Sequence, residues 1–475
     1  MDAQRGVAVG DLLAEAGVRG VVEHPGTVVT GVCDDTRAVE RGWLFVPRGK
    51  AGLARAGEAA AAGAVVVRPR DGEAFGQPEA GRIAAAFFGH PARALTLLAV
   101  TGTNGKTTVA SLVQQLLAGV GRRCGLLGTA GNDLGDGRGL TPAALTTPGA
   151  IDLQRLLRAM ADAGCTHVSL EASSHALDQG RLDGLHFAAA MFTNLSQDHL
   201  DYHGDMAAYA AAKARLFAML SANGAAVINV DDAAADAMVR AVAGGVRVIR
   251  TSVRDAEAGA SGLIDGVALP VARWPLPGRF NVSNVTQAVA AVHAVTGTPL
   301  PALARLAEGL RGVRGRMERV LPAGVDPSAC PVVLVDYAHT PDALARATEA
   351  ARTMVVPGGR LITLYGCGGD RDRTKRPRMT AAALAGSDTA LLTSDNPRTE
   401  DPAQIFADAR VGFADDPRLT LIADRAAAIA QAIGGAGAGD VVLITGKGHE
   451  TYQIVGTERL DFDDAAVARE VLAAR

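Results

Sequence analysis

Short apolar runs, many rich in β-branched residues, alternate along the chain with stretches whose apolar positions recur every three or four residues. The runs at 95–100, 167–170, 189–192, 226–230, 332–335, 361–365, 390–393 and 441–445 read as strands, and the periodic stretches between them as helices. Strands that alternate with helices build parallel sheets, so the pattern predicts an α/β protein. The segment after each run is informative. In order, the strands lead into GTNGKTT, EASSH, TNLSQDH, NVDD, DYAHTP, GCGGDRDR, SDNPR and GKGHE, so polar or Gly-rich segments stand repeatedly at the carboxyl ends of strands. That edge of an open α/β sheet is where ligands bind. Ordinary surface loops account for a few such coincidences, hardly for all of them.

Two breaks divide the pattern. FFGHPARAL at 87–95 carries a turn signal, and 313–330 reads as a loop ahead of a second strand and helix series, which places domains at 1–90, 91–313 and 314–475. The Ala-rich segment 51–62 is expected to form a surface helix, and no internal repeat is visible. A chain of 475 residues exceeds what one hydrophobic core sustains, which supports the division.

Composition removes several function classes. A formal charge of -3 shows no polyelectrolyte bias, and 4% aromatic residues provide no series of platforms for stacking bases, so no nucleic-acid partner is expected. Cys33, Cys124, Cys165, Cys330 and Cys367 are scattered, with no pair at metal-ligand spacing, as reduced and buried thiols would be. No apolar stretch reaches membrane-spanning length and the start lacks a signal-peptide pattern, so the expectation is a soluble, cytoplasmic protein without membrane insertion.

The strongest local signal is TGTNGKTT at 101–108, between an apolar strand and a helix whose Val109, Leu112, Val113, Leu116 and Leu117 recur at helical spacing. This is the setting of a P-loop. Backbone N–H groups of Gly102, Thr103, Asn104, Gly105 and the helix start face phosphate oxygens, Lys106 supplies positive charge, and a hydroxyl from Thr107 or Thr108 reaches magnesium. The usual first glycine is replaced by Val100, so the loop is a variant. A P-loop alone would serve a kinase, a motor or a switch equally well.

Further motifs narrow the choice. TTP at 146–148, EASSHALDQGR at 171–181, TNLSQDHLDYHG at 193–204, AAAKARLF at 210–217 and LPGRFNVSN at 276–284 come after the P-loop in order. VRGRMER, DYAHTP, GCGGDRDRTKRPRM at 366–379, SDNPR at 394–398 and GKGHE at 446–450 complete the set. With these the sequence resembles the Mur ligase family over most of the chain from Gly102 onward. The last three resemble the type that extends UDP-N-acetylmuramoyl-alanyl-glutamate by a diamino acid.

The resemblance implies a three-domain fold: a small N-terminal α/β domain for the UDP-linked substrate, a central P-loop parallel-sheet ATPase domain and a C-terminal Rossmann-like domain for the amino acid. It implies an ATP-dependent, ADP-forming ligase that adds meso-diaminopimelate through an acyl phosphate in peptidoglycan precursor synthesis, working as a monomer on small molecules with Mg2+ and ATP. The residue types suit that chemistry. A carboxylate forms an amide only after activation, and bringing it to a triphosphate demands cations. The resemblance places Glu171 with Thr107 on magnesium, His199 at a second magnesium, and Lys213 as a residue carbamylated by carbon dioxide. By composition alone Lys213 reads as an exposed helical lysine. His199 and His203 stand four apart, but the surrounding residues lack a zinc-binding pattern, and His203 reads as structural.

Thr146, Thr147, Ser173, Gln179 and Arg181 match positions that meet the glutamyl substrate, and Asn281 and Asn284 match the nucleotide-base region, with helix capping a rival role for Asn281. Arg371, Asp395, Asn396, Pro397, Arg398, Gly446 and Glu450 match the amino-acid site, where Arg398 would answer the distal carboxylate that lysine lacks. In the first domain Asp34, Thr36 and Arg37 match the uridine diphosphate segment. The Asp-Gly and Phe usual downstream give way to a shorter AGLARAGEAAAAGA. Closure of the domains on one another is expected, with hinges near Ala94 and Arg314. The same reaction with L-lysine or L-ornithine, a folylpolyglutamate synthase and a P-loop NTPase switch are the alternatives.

Overall fold

The computed structural model describes residues 6–475 apart from 71, 73, 257–258, 270–273, 275 and 277, so the first five residues and Pro277 of LPGRFNVSN lie outside the described residues. All eight apolar runs form strands, with several ends moved: Thr96–Thr101, His167–Glu171, Phe187–Phe192, Leu220–Asn229, Val332–Asp336, Leu361–Cys367, Thr389–Ser394 and Val441–Thr445. The first four belong to one sheet and the last four to another.

The larger sheet has ten strands. Its parallel centre runs Cys124–Gly128, His167–Glu171, Thr96–Thr101, Phe187–Phe192, Leu220–Asn229 and Arg247–Ala256, and antiparallel pieces extend both edges. Leu98 and Val100 pack into the cluster formed with helices Lys106–Gly119 and Arg279–Thr296, whereas Leu97 and Ala99 pack with Ala150–Asp162 and Met206–Ala218 on the other face. A strand covered on both faces has no polar side to show, which is why these runs are continuous rather than alternating.

The second sheet has six strands, ordered Glu318–Val320, Val332–Asp336, Val441–Thr445, Leu361–Cys367, Thr389–Ser394 and Leu419–Leu421, all parallel except the first pairing. Glu318–Val320 corrects the reading of 313–330 as a loop. Only Val320 of this edge strand is buried, so no apolar run announces it.

In the first part, a three-stranded parallel sheet of Val32–Cys33, Leu44–Phe45 and Val65–Val66 accompanies helices Val9–Ala16 and Gln77–Phe87 around Leu12, Val29, Leu44 and Ile83. Residues 51–62 do not make one helix. Gly49–Ala54 and Ala56–Ala61 meet at Arg55, and Ala56 and Ala59 are buried. Gly52 and Gly57 on either side of the break weaken a continuous helix there. Three regions with separate hydrophobic clusters make a three-domain α/β chain. All five cysteines are free and buried, and burial pushes the Cys33 and Cys367 thiols up to about 12, which makes them inert. Among the described residues no helix is long and apolar enough to cross a membrane.

Candidate active site

The P-loop departs from the usual pattern for a visible reason. Val100 is fully buried inside the strand, so the turn begins only at Gly102. Gly105 caps the following helix at φ 88°, and a Cβ there would run into Asn284 Oδ1, so only glycine fits. The next loop clasps this one: the Asn194 side chain accepts from Asn104 N and donates to Asn104 O, both at 3.0 Å, and Thr193 Oγ1 donates to the same carbonyl at 2.6 Å. Lys106 Nζ folds back onto the carbonyls of Gly102 and Thr103 at 3.0 and 2.9 Å. Burial lowers its pKa, against the pull of Glu171 and Asp198.

At the end of the neighbouring strand, Thr107 Oγ1 donates to Glu171 Oε2 at 3.0 Å, and Thr129 N donates to Glu171 Oε1 at 2.7 Å. Lys213 is not the exposed lysine that composition suggests: it is 1% exposed, donates to Gly102 O at 2.8 Å and lies 4.2 Å over the Tyr209 ring. Burial, then the neighbouring Lys106, hold its pKa well below the usual lysine value. His199 occupies a left-handed backbone position at the start of a short helix, and burial lowers its pKa to about 4. His203 Nε2 meets Ser174 Oγ at 3.0 Å, and among the described residues no group of three His, Cys, Asp or Glu has the arrangement to hold an ion by itself.

Two cavities open here. One, of about 560 Å³, is lined by Thr103 to Thr108, Thr146, Glu171, Ser173, His199, Asn281 and Asn284. Gly102 stays behind the lining with its carbonyl turned to the two lysines. Asn281 is no cap: Gly278 holds that position, and Asn281 Oδ1 accepts from Asn284 Nδ2 at 3.1 Å inside the helix. The other cavity, of about 650 Å³, is lined by Arg371, Asp395, Asn396, Arg398, Gly446 and Glu450. Asp198, His199, Tyr337 and His339 line both cavities and so form a shared wall.

The second cavity has a built polar floor. Lys447, fully buried, donates to Asn396 Oδ1 at 3.1 Å and lies 3.8 Å from Asp395 Oδ1 and 3.6 Å from Glu450 Oε2. Asn396 Nδ2 donates to Glu450 Oε2 at 2.9 Å. Burial first, then Asp395, raises the Glu450 pKa. Arg398 has φ 52°, a position few side chains adopt, and is held by its N–H on Ile454 O at 3.0 Å and its Nη1 on Gly369 O at 2.8 Å. Pro397 is outside the lining, backed onto Gly369.

Some expected residues lie apart. Thr147 Oγ1 donates to Glu171 O at 2.7 Å, and Arg181 Nη1 donates to Thr147 O at 2.9 Å while its other nitrogens bind Gln179 Oε1. Asp34 is ion-paired with Arg48, and burial first, then the Arg48 charge, lowers the Arg181 pKa. Asp35 caps the turn containing Thr36 and Arg37, and Arg37 folds onto it.

Residues in motifs that carried no assigned role also shape the site. Arg316, from VRGRMER, crosses from the third domain to donate to Thr107 Oγ1 at 3.1 Å, and its guanidinium lies 4.5 Å over Tyr337 of DYAHTP. Asp342 accepts from Asn104 Nδ2 at 3.1 Å. Gly315, at φ 67°, leaves no room for a Cβ because Gly448 and His449 of the GKGHE loop lie directly against it. Their motifs were visible in the sequence; the contacts between them were not.

Comparison with known proteins agrees with this geometry. The Mur ligase middle domain family matches residues 100–292, and the Mur ligase glutamate ligase domain family matches 315–448. The chain is 45% identical to the UDP-N-acetylmuramoyl-L-alanyl-D-glutamate–2,6-diaminopimelate ligase of Synechococcus elongatus over 94% of each chain. It is 41% identical to the ligase of the same name from Xanthomonas campestris, over 99% of this chain and 98% of that one. A solved structure of a ligase of that name shares 37% identity with a TM-score of 0.65, covering 99% of both chains. Folylpolyglutamate synthase of Mycobacterium tuberculosis, solved with ADP, shares the fold at 20% identity and a TM-score of 0.61, covering 82% of this chain and 93% of that one.

Proposed function

The chain belongs to the Mur ligase family, and from that premise we propose that it joins meso-diaminopimelate to the D-glutamate of UDP-N-acetylmuramoyl-L-alanyl-D-glutamate with ATP as co-substrate, in peptidoglycan precursor synthesis. The observation that carries this reading is the wall of Asp198, His199, Tyr337 and His339 common to both cavities. Phosphates cradled on the P-loop side and an amine held on the Asp395 and Glu450 side would meet there.

In this reading residues 1–90 hold the uridine diphosphate end, 91–313 bind ATP and 314–475 bind the amino acid. The γ-phosphoryl group passes from ATP to the glutamyl carboxylate, leaving ADP and an acyl phosphate. The amine attacks the acyl carbon, the C–O bond to phosphate breaks, and the amine loses its proton as the amide forms. Lys106 and Arg316 bring positive charge to the phosphate end, and Ser173 holds the glutamyl arm, with Gln179 and Arg181 acting through Thr147. Arg371 and Arg398 receive carboxylates of the incoming amino acid, while the Asp395, Asn396 and Glu450 group receives an ammonium.

The corner formed by Thr107 and Glu171 fits a magnesium ion, which takes hard oxygen donors and draws the rest of its shell from phosphate and water. When bound, the ion neutralises phosphate charge. Burial lowers the Lys213 pKa and so favours the amine form, whose electron pair could add carbon dioxide and lose a proton, which would convert it to an anionic carbamate beside the P-loop carbonyl of Gly102. The reading includes a cytoplasmic monomer.

The test is ADP release with each component omitted in turn. Release over many turnovers is expected only when the muramyl dipeptide nucleotide and diaminopimelate are both present. Preference for L-lysine or L-ornithine would overturn the choice of amine, and hydrolysis indifferent to the nucleotide acceptor would overturn ligation itself.

A further inference from the structure

Beneath the second cavity lies a charge pair that the ligation chemistry leaves unused. Arg425 opens the helix Arg425–Gly434, Asp464 opens the helix Asp464–Ala473, and both side chains are fully buried. They meet fork to fork, Nε on Oδ1 and Nη2 on Oδ2, each at 2.7 Å. The remaining hydrogens of the guanidinium turn to the sheet edge, where Nη2 donates to Thr445 O at 2.9 Å and Nη1 to Ser394 O at 3.3 Å.

Those two carbonyls have a particular place. Thr445 and Ser394 end the strands Val441–Thr445 and Thr389–Ser394, and the next residues are Gly446 and Asp395, the starts of the two loops that line the cavity. The strands are not neighbours, because Leu361–Cys367 runs between them. They share no ladder hydrogen bonds, so the sheet ties the two loop starts only through a third strand. Arg425 ties them directly. A buried ion pair by itself is no better for stability than well-packed apolar residues of the same volume. Apolar residues, however, supply no directed hydrogen bonds to two separate carbonyls.

We propose that Arg425, oriented by Asp464, is a positioning residue that sets the distance between the SDNPR and GKGHE loops and thereby the fit of the amine substrate. The proposal rests on reading this cavity as the amino-acid site. It predicts a KM effect confined to one substrate, because Arg425 touches neither the P-loop nor the glutamyl residues; a shift passed through Gly448 to Arg316 would show in kcat instead.

Steady-state kinetics on the full-length double variant Arg425→Met with Asp464→Leu decides the matter, since an apolar pair of similar volume spares the fold the cost of a lone buried charge. The expected result is cooperative unfolding at or near the wild-type temperature with a KM for diaminopimelate raised by about tenfold or more, while the KM values for ATP and the muramyl dipeptide nucleotide stay within about twofold. Arg425→Lys keeps the charge opposite Asp464 and loses the fork. It is expected to show an intermediate rise in the same constant, and it decides the question by that readout should the double variant not fold. A diaminopimelate KM within about twofold of wild type, or all three KM values rising together, overturns the proposal alone. Wild-type turnover that does not saturate with diaminopimelate overturns the reading of the cavity, and the proposal with it.

Discussion

Lys213 and Lys106 share one acceptor: both Nζ atoms donate to the carbonyl of Gly102, at 2.8 and 3.0 Å. Two ammonium groups on one buried oxygen repel each other, and the conflict falls away if Lys213 is neutral or becomes an anion. Conversion to a carbamate is therefore expected in the working enzyme. Carbon-13 NMR with labelled bicarbonate should give a carbamate signal in the wild type that Lys213→Met lacks. Lys213→Met should stay folded with turnover reduced by about 10²–10³-fold. Normal turnover in that variant would sink the idea.

The contact between Arg316 and Thr107 spans 209 positions and two domains. On the proposed reading, a guanidinium delivered to the P-loop by the domain that lines the second cavity would couple closure to phosphate charge. Arg316→Ala is expected to lower kcat by about 10²–10³-fold, with the KM for diaminopimelate changed much less. Equal loss of binding for all substrates would assign Arg316 to packing instead.

Arg398 is aimed by its unusual backbone and by its hydrogen bond to Gly369. Removing a charged hydrogen bond to a carboxylate costs about 1.5–3 kcal/mol, so Arg398→Met should raise the KM for diaminopimelate by about 10- to 100-fold. Lysine, which has no second carboxylate, should lose little. Competition between the two amines measures the difference, and an unchanged preference would detach Arg398 from specificity.

His449 gives a pH signature in stability. Its ring is 5.2 Å from Tyr337 and its Nδ1 is buried without a hydrogen-bond partner; burial, with Arg316 adding to it, lowers its pKa from 6.5 to about 4. A depressed value in the folded state means that the unfolded chain binds more protons between those two pH values. The stability it contributes is then complete above 6.5 and lost as pH falls toward 4. The loss is on the order of 2 kcal/mol after allowance for partial exposure. His449→Phe should reduce the slope of the melting temperature across that window, to which His199 also contributes, and a slope identical to wild type would exclude His449 as a source.

Much of the site was legible because its signals are local. Strand-loop-helix junctions such as Thr96–Thr101 into Lys106–Gly119 combine an apolar run, glycines and a helical period within a few residues. The burial of Lys213 escaped composition because seven of the thirteen residues in its helix are Ala and only Lys213 and Arg215 are charged, so no polar face marks which side is buried. Glu318–Val320 escaped because an edge strand with one buried residue carries no periodic pattern. Arg316 and Arg425 act on partners far along the chain, and no local pattern records such pairings.

Gly315 has a consequence for how this enzyme could change its amine. Because backbone meets backbone where Gly315 passes Gly448 and His449, the arginine that reaches the P-loop and the loop that lines the second cavity are packed directly together. Sliding or lengthening the GKGHE loop would drag Arg316 off the P-loop. New substrate preference is therefore open to side-chain exchange in the SDNPR loop, where the main chain can stay in place, and closed to remodelling of its partner.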